Sequence, residues 1–159
     1  MSIGAGCKQP GTLNENSINT DDTTDRLSCY ALYAPVKVDI MPLTELVSLG
    51  DTQQPKLNLY VSLLDQFGSQ IKSPGMFRFE LYEYMQRSAE SKGKRKIIWP
   101  DVDLTDPVKN NDSWRDFLQA YVFSLPCEQS ISQDCILQVT YLCPNGKRLS
   151  SEFTLRYTK

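Results

Sequence analysis

LQVTYLCPNGKRLSSEFTLRY, residues 137–157, is the stretch of sequence that decides the fold. Apolar residues alternate at Leu137, Val139 and Tyr141 before Asn145-Gly146, and at Phe153, Leu155 and Tyr157 after it. This period of two is typical of half-buried strands. Asn-Gly between two such segments favours a tight hairpin turn. Residues 137–157 therefore predict a β-hairpin.

Five segments upstream show related patterns. In four of them the apolar positions are Val36, Val38 and Ile40; Leu57, Leu59, Val61 and Leu63; Phe77, Phe79 and Leu81; and Phe117, Tyr121, Phe123 and Leu125. The remaining segment, the fourth in chain order, spans Lys96 to Leu104. Pro100 lacks the N–H that a ladder requires, so it marks an edge strand or a bulge. Residues 114–119 also fit a helical turn capped by Asp112 or Ser113.

Seven short strands without a sustained helical period predict an all-β fold. We expect an antiparallel two-sheet β-sandwich of about seven strands in residues 28–159. Residues 1–27 are rich in Gly, Asn, Asp, Ser and Thr and show no period. They cannot bury enough apolar surface to offset ordering, so we expect a disordered tail or tether.

A part of this pattern resembles known sandwiches. Leu63–Gly68, followed by Ile71, Pro74-Gly75 and Phe77–Tyr82, is similar to the strand–turn–strand unit of immunoglobulin-like, transthyretin-like and C2-like domains. The resemblance implies the architecture and carries no activity.

Composition narrows the function. The 159 residues include 17 basic and 19 acidic side chains, and a net charge of −2 argues against nucleic-acid binding. No apolar run reaches the roughly 18 to 20 residues of a membrane-spanning helix. Histidine is absent, which excludes histidine-based triads and most catalytic zinc sites. We therefore expect that the protein is not an enzyme. The alternative is an enzyme that uses a pair of carboxylates.

Ile3-Gly4-Ala5-Gly6-Cys7-Lys8 resembles the lipobox of bacterial lipoproteins. The resemblance implies lipidation of Cys7 and a location in the bacterial cell envelope or periplasm, with the polar tail as the tether. Gly4 stands where that family usually has Leu, and no apolar region precedes the motif. The alternative is an incidental cysteine in a cytoplasmic protein.

Four more cysteines, Cys29, Cys127, Cys135 and Cys143, form an even set, as an oxidising compartment favours. Cys127 and Cys135 bracket a short loop between two strands that we expect to pair antiparallel. A disulfide between them is therefore predicted. The alternative is a set of buried, reduced cysteines.

Acidic residues suggest a second kind of site. Asp101, Asp103 and Asp106 crowd one segment, and Asp65 lies in a separate turn. Such oxygen-rich loops resemble the calcium loops of C2 domains. We expect no cofactor, and the resemblance implies calcium as the alternative. Asp is equally expected as a turn former and helix cap.

Two further clusters favour structural roles. Arg87, Lys92, Lys94, Arg95 and Lys96 are expected in a loop between the third and fourth strands, more as a guard against edge pairing than as an anion site. Trp99, Trp114, Tyr121 and Tyr141 could line a carbohydrate or peptide surface. We expect core positions for Trp114 and Tyr121.

Taken together, these features predict a non-enzymatic envelope domain with a binding or structural role. Its partner is an unknown protein or envelope component, and it meets the membrane only through the Cys7 anchor. The alternative is a calcium-dependent C2-like module that binds membranes or ligands.

Overall fold

A computed structural model describes residues 30–47, 54–128 and 131–157. The predicted tail at residues 1–27, with Cys7, and Cys29 lie outside these ranges. Residues 30–33 are helical. The remainder forms two antiparallel sheets of five strands each, as the all-β prediction required.

Sheet A is built around β3 and β8, which pair from Lys56↔Pro126 to Val61↔Tyr121. Two short strands lie along the other side of β3, and a third short strand borders β8. The strands of sheet A are β1 (Lys37–Ile40), β2 (Glu45–Val47), β3 (Lys56–Leu64), β7 (Trp114–Arg115) and β8 (Ala120–Pro126).

Sheet B has the order β10-β9-β4-β5, and β6 also pairs with β4. Its strands are β4 (Met76–Tyr84), β5 (Lys92–Ile98), β6 (Val102–Asp103), β9 (Cys135–Leu142) and β10 (Arg148–Leu155). One helix, α1 (Pro107–Ser113), lies between β6 and β7.

The core fills the space between the sheets, because every second side chain of β3, β4, β8 and β9 points inward. These buried side chains are Leu57, Leu59, Val61, Leu63, Phe77, Phe79, Leu81, Tyr121, Phe123, Leu125, Leu137, Val139 and Tyr141. The Phe77 ring contacts those of Tyr121, Phe123 and Tyr141 at centroid distances of 4.8 to 5.4 Å. Truncating such a ring to Ala costs about 3–5 kcal/mol.

All four aromatics considered for a surface are buried instead. Trp114 is 9% exposed and Tyr121 fully buried, as predicted. Trp99 is also buried, and its indole N–H donates to the Pro126 carbonyl at 2.7 Å. This bond links the β5–β6 edge of sheet B to the end of β8 in sheet A.

The described residues form ten strands where about seven were expected, because two edge strands are interrupted and the short strand β7 precedes β8. Residues 99–101 separate β5 from β6, so Pro100 marks an interrupted edge strand, as predicted. A turn at residues 41–44 likewise separates β1 from β2 along β3. The predicted fourth strand, Lys96–Leu104, therefore had the wrong bounds.

The predicted hairpin is confirmed. β9 and β10 pair from Leu142↔Arg148 to Cys135↔Leu155. Gly146 has φ +83° at the turn, and the Asn145 side chain accepts a hydrogen bond from Lys147 N–H at 3.0 Å. A glycine tolerates this backbone without the steric cost that a Cβ brings.

The predictions for the fifth strand were partly wrong. Phe117, expected to point inward, is 84% exposed because β8 begins only at Ala120. The helix lies earlier than the predicted turn at residues 114–119, and its N-cap is Asp106 rather than a residue near its end. Tyr157, expected in the seventh strand, lies beyond β10 and is 43% exposed.

Within the described ranges, no helix has the length and apolar character needed to cross a membrane.

Candidate functional site

Cys127 and Cys135 are buried free thiols at one end of the sandwich, which we call the thiol end. Cys127 follows β8 of sheet A, whereas Cys135 begins β9 of sheet B. The expectation that β8 and β9 pair antiparallel was therefore wrong, since consecutive strands here belong to different sheets. A bridge between these residues would join the sheets, and it stays a prediction.

Burial raises the pKa of the Cys127 thiol, and the nearby Cys135 raises it further. Burial likewise raises the pKa of Cys135 and of Cys143, which is a free thiol at the other end of β9. These thiols therefore stay protonated, and unreactive as nucleophiles, near neutral pH.

The four aspartates proposed as calcium ligands each have a local role. Asp65 accepts hydrogen bonds from the N–H groups of Phe67 and Ser69 in its own turn, both at 2.9 Å. Asp106 caps α1 by accepting from Val108 and Lys109 N–H at 3.0 Å.

The other two carboxylates are engaged with neighbours. Asp101 forms a bidentate pair with Arg78 at 2.8 and 2.9 Å, and this pairing lowers the pKa of the Asp101 carboxyl. Asp103 accepts from the Thr105 hydroxyl and N–H, which lowers its pKa as well. Within residues 30–47, 54–128 and 131–157, no three acidic or thiol groups converge on a metal position. The crowding in sequence does not become a cluster in space.

The basic cluster lies mainly on a strand rather than in a loop. Lys92 to Lys96 belong to β5, the edge strand of sheet B, and Arg87 lies in the turn before it. Lys92 Nζ contacts Gln138 Oε1 at 2.7 Å and Glu152 Oε1 at 2.5 Å, and Arg95 pairs with Glu80 at 2.8 Å. These contacts spread the positive charge over an ion-paired outer face, which suits the predicted guard role.

A buried polar network holds the opposite end, which we call the helix end. The Tyr121 hydroxyl accepts a hydrogen bond from Ser73 N–H at 2.9 Å and has Asn110 Oδ1 as an acceptor at 3.0 Å. The Asn110 amide donates to the Ser73 and Leu104 carbonyls. The Tyr141 hydroxyl donates to the Pro74 carbonyl at 2.6 Å. Burial raises the pKa of both tyrosines.

The polar groups of this network bond to one another, so few of them are free to bind a ligand. A cavity of about 390 Å³ lies beside it, lined by Lys72, Ser73, Pro74, Leu104, Thr105, Pro107, Asn110 and Asn111. The Asn110 amide is fully engaged, and Lys72 Nζ donates to Asn111 Oδ1 at 2.8 Å.

The outer face of sheet A carries a larger site, a groove of about 550 Å³. Its floor is the cross-strand pair Tyr60 and Val122, both half-buried. One wall is the 41–44 turn with Glu45, and the other is the turn between β7 and β8. The lining residues are Pro42, Leu43, Glu45, Tyr60, Arg115, Phe117, Leu118 and Val122.

The turn that forms the second wall is well braced. The Trp114 indole donates to Asp116 Oδ1 at 2.8 Å, and Leu118 and Gln119 N–H donate to backbone carbonyls within the turn. Gln119 has φ +50°, a conformation that a non-glycine residue adopts only when its surroundings impose it. Phe117 is thereby presented to solvent on a defined backbone.

Part of this groove was visible in the sequence. Tyr60 lies between Leu59 and Val61 in the alternating pattern, which places it on the outer face of its strand, as observed. Leu43 and Phe117 were missed, since neither belongs to a strand and turn conformation is not encoded by alternation. An apolar residue inside a turn-forming segment, such as Leu43 after Met41-Pro42, is the signal that was available.

The chain matches no protein-family model, no curated protein and no solved structure.

Proposed function

We propose that the protein is a non-enzymatic binding domain of the bacterial cell envelope, and that the groove on sheet A takes an apolar side chain of a protein partner. The observation that carries this proposal is the exposed apolar lining of the groove. Leu43 is 53% exposed and Phe117 84% exposed, on either side of the Tyr60–Val122 floor. Exposed apolar patches of this kind mark interaction sites on soluble domains.

Preorganisation supports the same conclusion. An aromatic side chain on a braced turn loses little further entropy when a partner covers it. Buried aromatic anchors of this type dominate the energy of protein interfaces. Phe117 would then be the main anchor on this chain, with Val122 beneath it.

The charges at the groove favour a protein over a nucleic acid. Glu45 lines one wall and Arg115 the other, so the groove combines one acidic and one basic group. Arg115 is oriented by hydrogen bonds from its guanidinium to the Asp112 and Trp114 carbonyls. A partner segment with an apolar residue between a basic and an acidic residue would complement both walls.

The groove can be tested by selecting binders from a displayed library of random peptides. Selected peptides should carry an apolar residue next to a basic one, and Val122→Glu should weaken their binding by at least about tenfold, or 1.4 kcal/mol. Ser124→Glu is the matched control, because Ser124 lies on the same outer face of β8 but outside the lining. Peptides that bind Val122→Glu as tightly as the unaltered protein would refute the proposal.

The envelope location rests on the Cys7 motif and on the thiol pair at the thiol end. Mass spectrometry of protein isolated from its own cells would test it separately. We expect a mature N-terminus at Cys7 with a lipid on its sulfur. A free Cys7 thiol preceded by Ala5-Gly6 would contradict the anchor while leaving the groove proposal intact.

A further inference from the structure

Strongly exposed apolar side chains are concentrated at the helix end. Among the described residues, every large hydrophobic side chain that is more than two-thirds exposed lies there. The five are Leu32, Tyr33, Phe67, Val108 and Phe117, with exposures of 68% to 84%. Less exposed ones, such as Met85 at 46%, occur elsewhere, including the thiol end.

Strand registers place these five residues at one end. β1 begins opposite the end of β3 at Lys37↔Leu64, so residues 32 and 33, just before β1, and Phe67, just after β3, share that end. Phe117 lies in the turn before β8, whose first residues pair with β7. Val108 is on α1, which Asn110 joins to Ser73, the residue bonded to Tyr121 near the start of β8.

These side chains project from separate segments and do not line a common groove. Phe67 shows the pattern most clearly, because it lies at the tip of a turn held by Asp65, with Gly68 at φ +82°. It is 83% exposed. A rigid protein partner would need a matching pocket for each projection, whereas the interface of a lipid bilayer accommodates separate apolar side chains without such pockets.

The course of the chain points to the same surface. The described chain begins at the helix end, where the Tyr30 hydroxyl contacts Ser73 Oγ at 2.8 Å. Cys7, the proposed anchor, is 23 residues upstream of Tyr30, and a segment of that length spans at most about 80 Å. A tether from Cys7 therefore joins the domain at the helix end.

Charge would not draw the helix end to a bilayer. Asp65, Asp106 and Asp112 lie at the helix end together with Lys109 and Lys147. Because both signs are present, attraction to anionic lipids is weak, and insertion of apolar side chains is the remaining driving force.

We propose that the helix end rests on the bilayer, with Tyr33 and Phe67 inserted at the interface. This contact goes beyond the anchor alone, and it rests on the envelope location proposed above. It would orient the domain so that the thiol end faces away from the lipid, and it would leave the groove on sheet A open to a partner from the side.

The test uses a tryptophan reporter on the full chain. Phe67→Trp reports on the helix end, and Met85→Trp, in the turn between β4 and β5, is the matched control at the thiol end. Both variants also carry Cys29→Ser. Each is coupled through Cys7 to a maleimide lipid in phosphatidylcholine vesicles, so that the test does not depend on natural lipidation or on the groove.

After subtraction of the emission of Trp99 and Trp114, measured on the coupled protein without the reporter, we expect the emission of Phe67→Trp to shift to the blue on coupling and to be quenched by brominated acyl chains. The emission of Met85→Trp should do neither. Adding Val108→Asp to Phe67→Trp should reduce the quenching. Absence of quenching at position 67, equal quenching at positions 67 and 85, or quenching only with anionic lipid would each overturn the proposal. None of these outcomes bears on the peptide test with Val122→Glu.

Discussion

At the helix end, a network of hydroxyl and amide groups joins the two sheets, whereas at the thiol end a single indole bond, from Trp99 to Pro126, lies beside two buried thiols. Tyr121 and Asn110 satisfy the backbone of Ser73 through directed hydrogen bonds. The thiols of Cys127 and Cys135 contact the carbonyls of Leu125 and Gln133 at 3.9 and 3.4 Å. The hydrogen bonds that hold the helix end are therefore all formed in the folded protein. The thiol end could gain a disulfide, and whether it does depends on the redox conditions around the protein.

Oxidation of Cys127 and Cys135 should produce the largest change, because it would convert the thiol end into the more constrained of the two. Closing this short loop would raise the free energy of unfolding by about 2 to 3 kcal/mol on the chain-entropy model. Denaturant unfolding of oxidised and reduced protein measures the difference, with peptide mapping to identify the bond. Cys127→Ser should abolish the gain. Free thiols at both positions after oxidative purification would contradict the bridge.

Tyr121→Phe should weaken the helix end by about 1–3 kcal/mol, because the buried Ser73 N–H would lose its acceptor. Tyr60→Phe is the control: Tyr60 is half-buried on the outer face of sheet A, and its hydroxyl is not part of the network. Its unfolding free energy should be nearly unchanged. Equal losses for the two variants would show that the network contributes nothing specific.

Asp106→Ala should cost about 1 kcal/mol, since α1 would lose its N-cap and with it part of the support for Asn110. Asp112→Ala, at the other end of the same helix, should cost less because only the carbonyl of Asp112 accepts a hydrogen bond. Thermal unfolding of the pair compares the two positions directly. A larger loss for Asp112→Ala would contradict the capping role.

The smallest expected effect is a loss of stability at alkaline pH. Burial raises the pKa of Cys127 and Cys135 above the ordinary value of 9.0, and that of Tyr121 above 10.0. Above pH 9 the unfolded chain therefore releases protons that the folded chain retains, and stability falls as pH rises. The decline should begin with the thiols. If the disulfide forms, Cys143 still titrates with a raised pKa, so the decline should become shallower while keeping its onset. An equally steep decline would argue against this account.

Side-chain alternation predicted much of the interior but not the partnership of strands. Leu137, Val139 and Tyr141 point inward as expected, because period two follows directly from strand geometry. The same alternation cannot tell which sheet a strand joins. Cys127 and Cys135 were therefore placed in one hairpin, although β8 and β9 lie in different sheets.

The candidate site was harder to predict because turns, rather than strands, build it. Phe117 fits the alternation of β8 when that pattern is extended backwards, yet the chain turns at residues 116–119 and exposes the ring. Asp101 and Asp65 looked like shared ligands, but an Arg partner and a local turn engage them separately. The first pairing joins residues 23 positions apart, which alternation does not predict, whereas the second is the turn-forming role that was the alternative for Asp.

The pairing of β3 with β8 has a consequence for how the chain reaches this structure. It joins residues about 60 to 70 positions apart, whereas β9 and β10 meet across a single tight turn. Closing the longer loop costs more entropy before any contact compensates for it. The β9–β10 hairpin should therefore form early in folding and sheet A late. Mutations on the β9–β10 turn should then slow folding, while those that weaken the β3–β8 ladder should mainly speed unfolding.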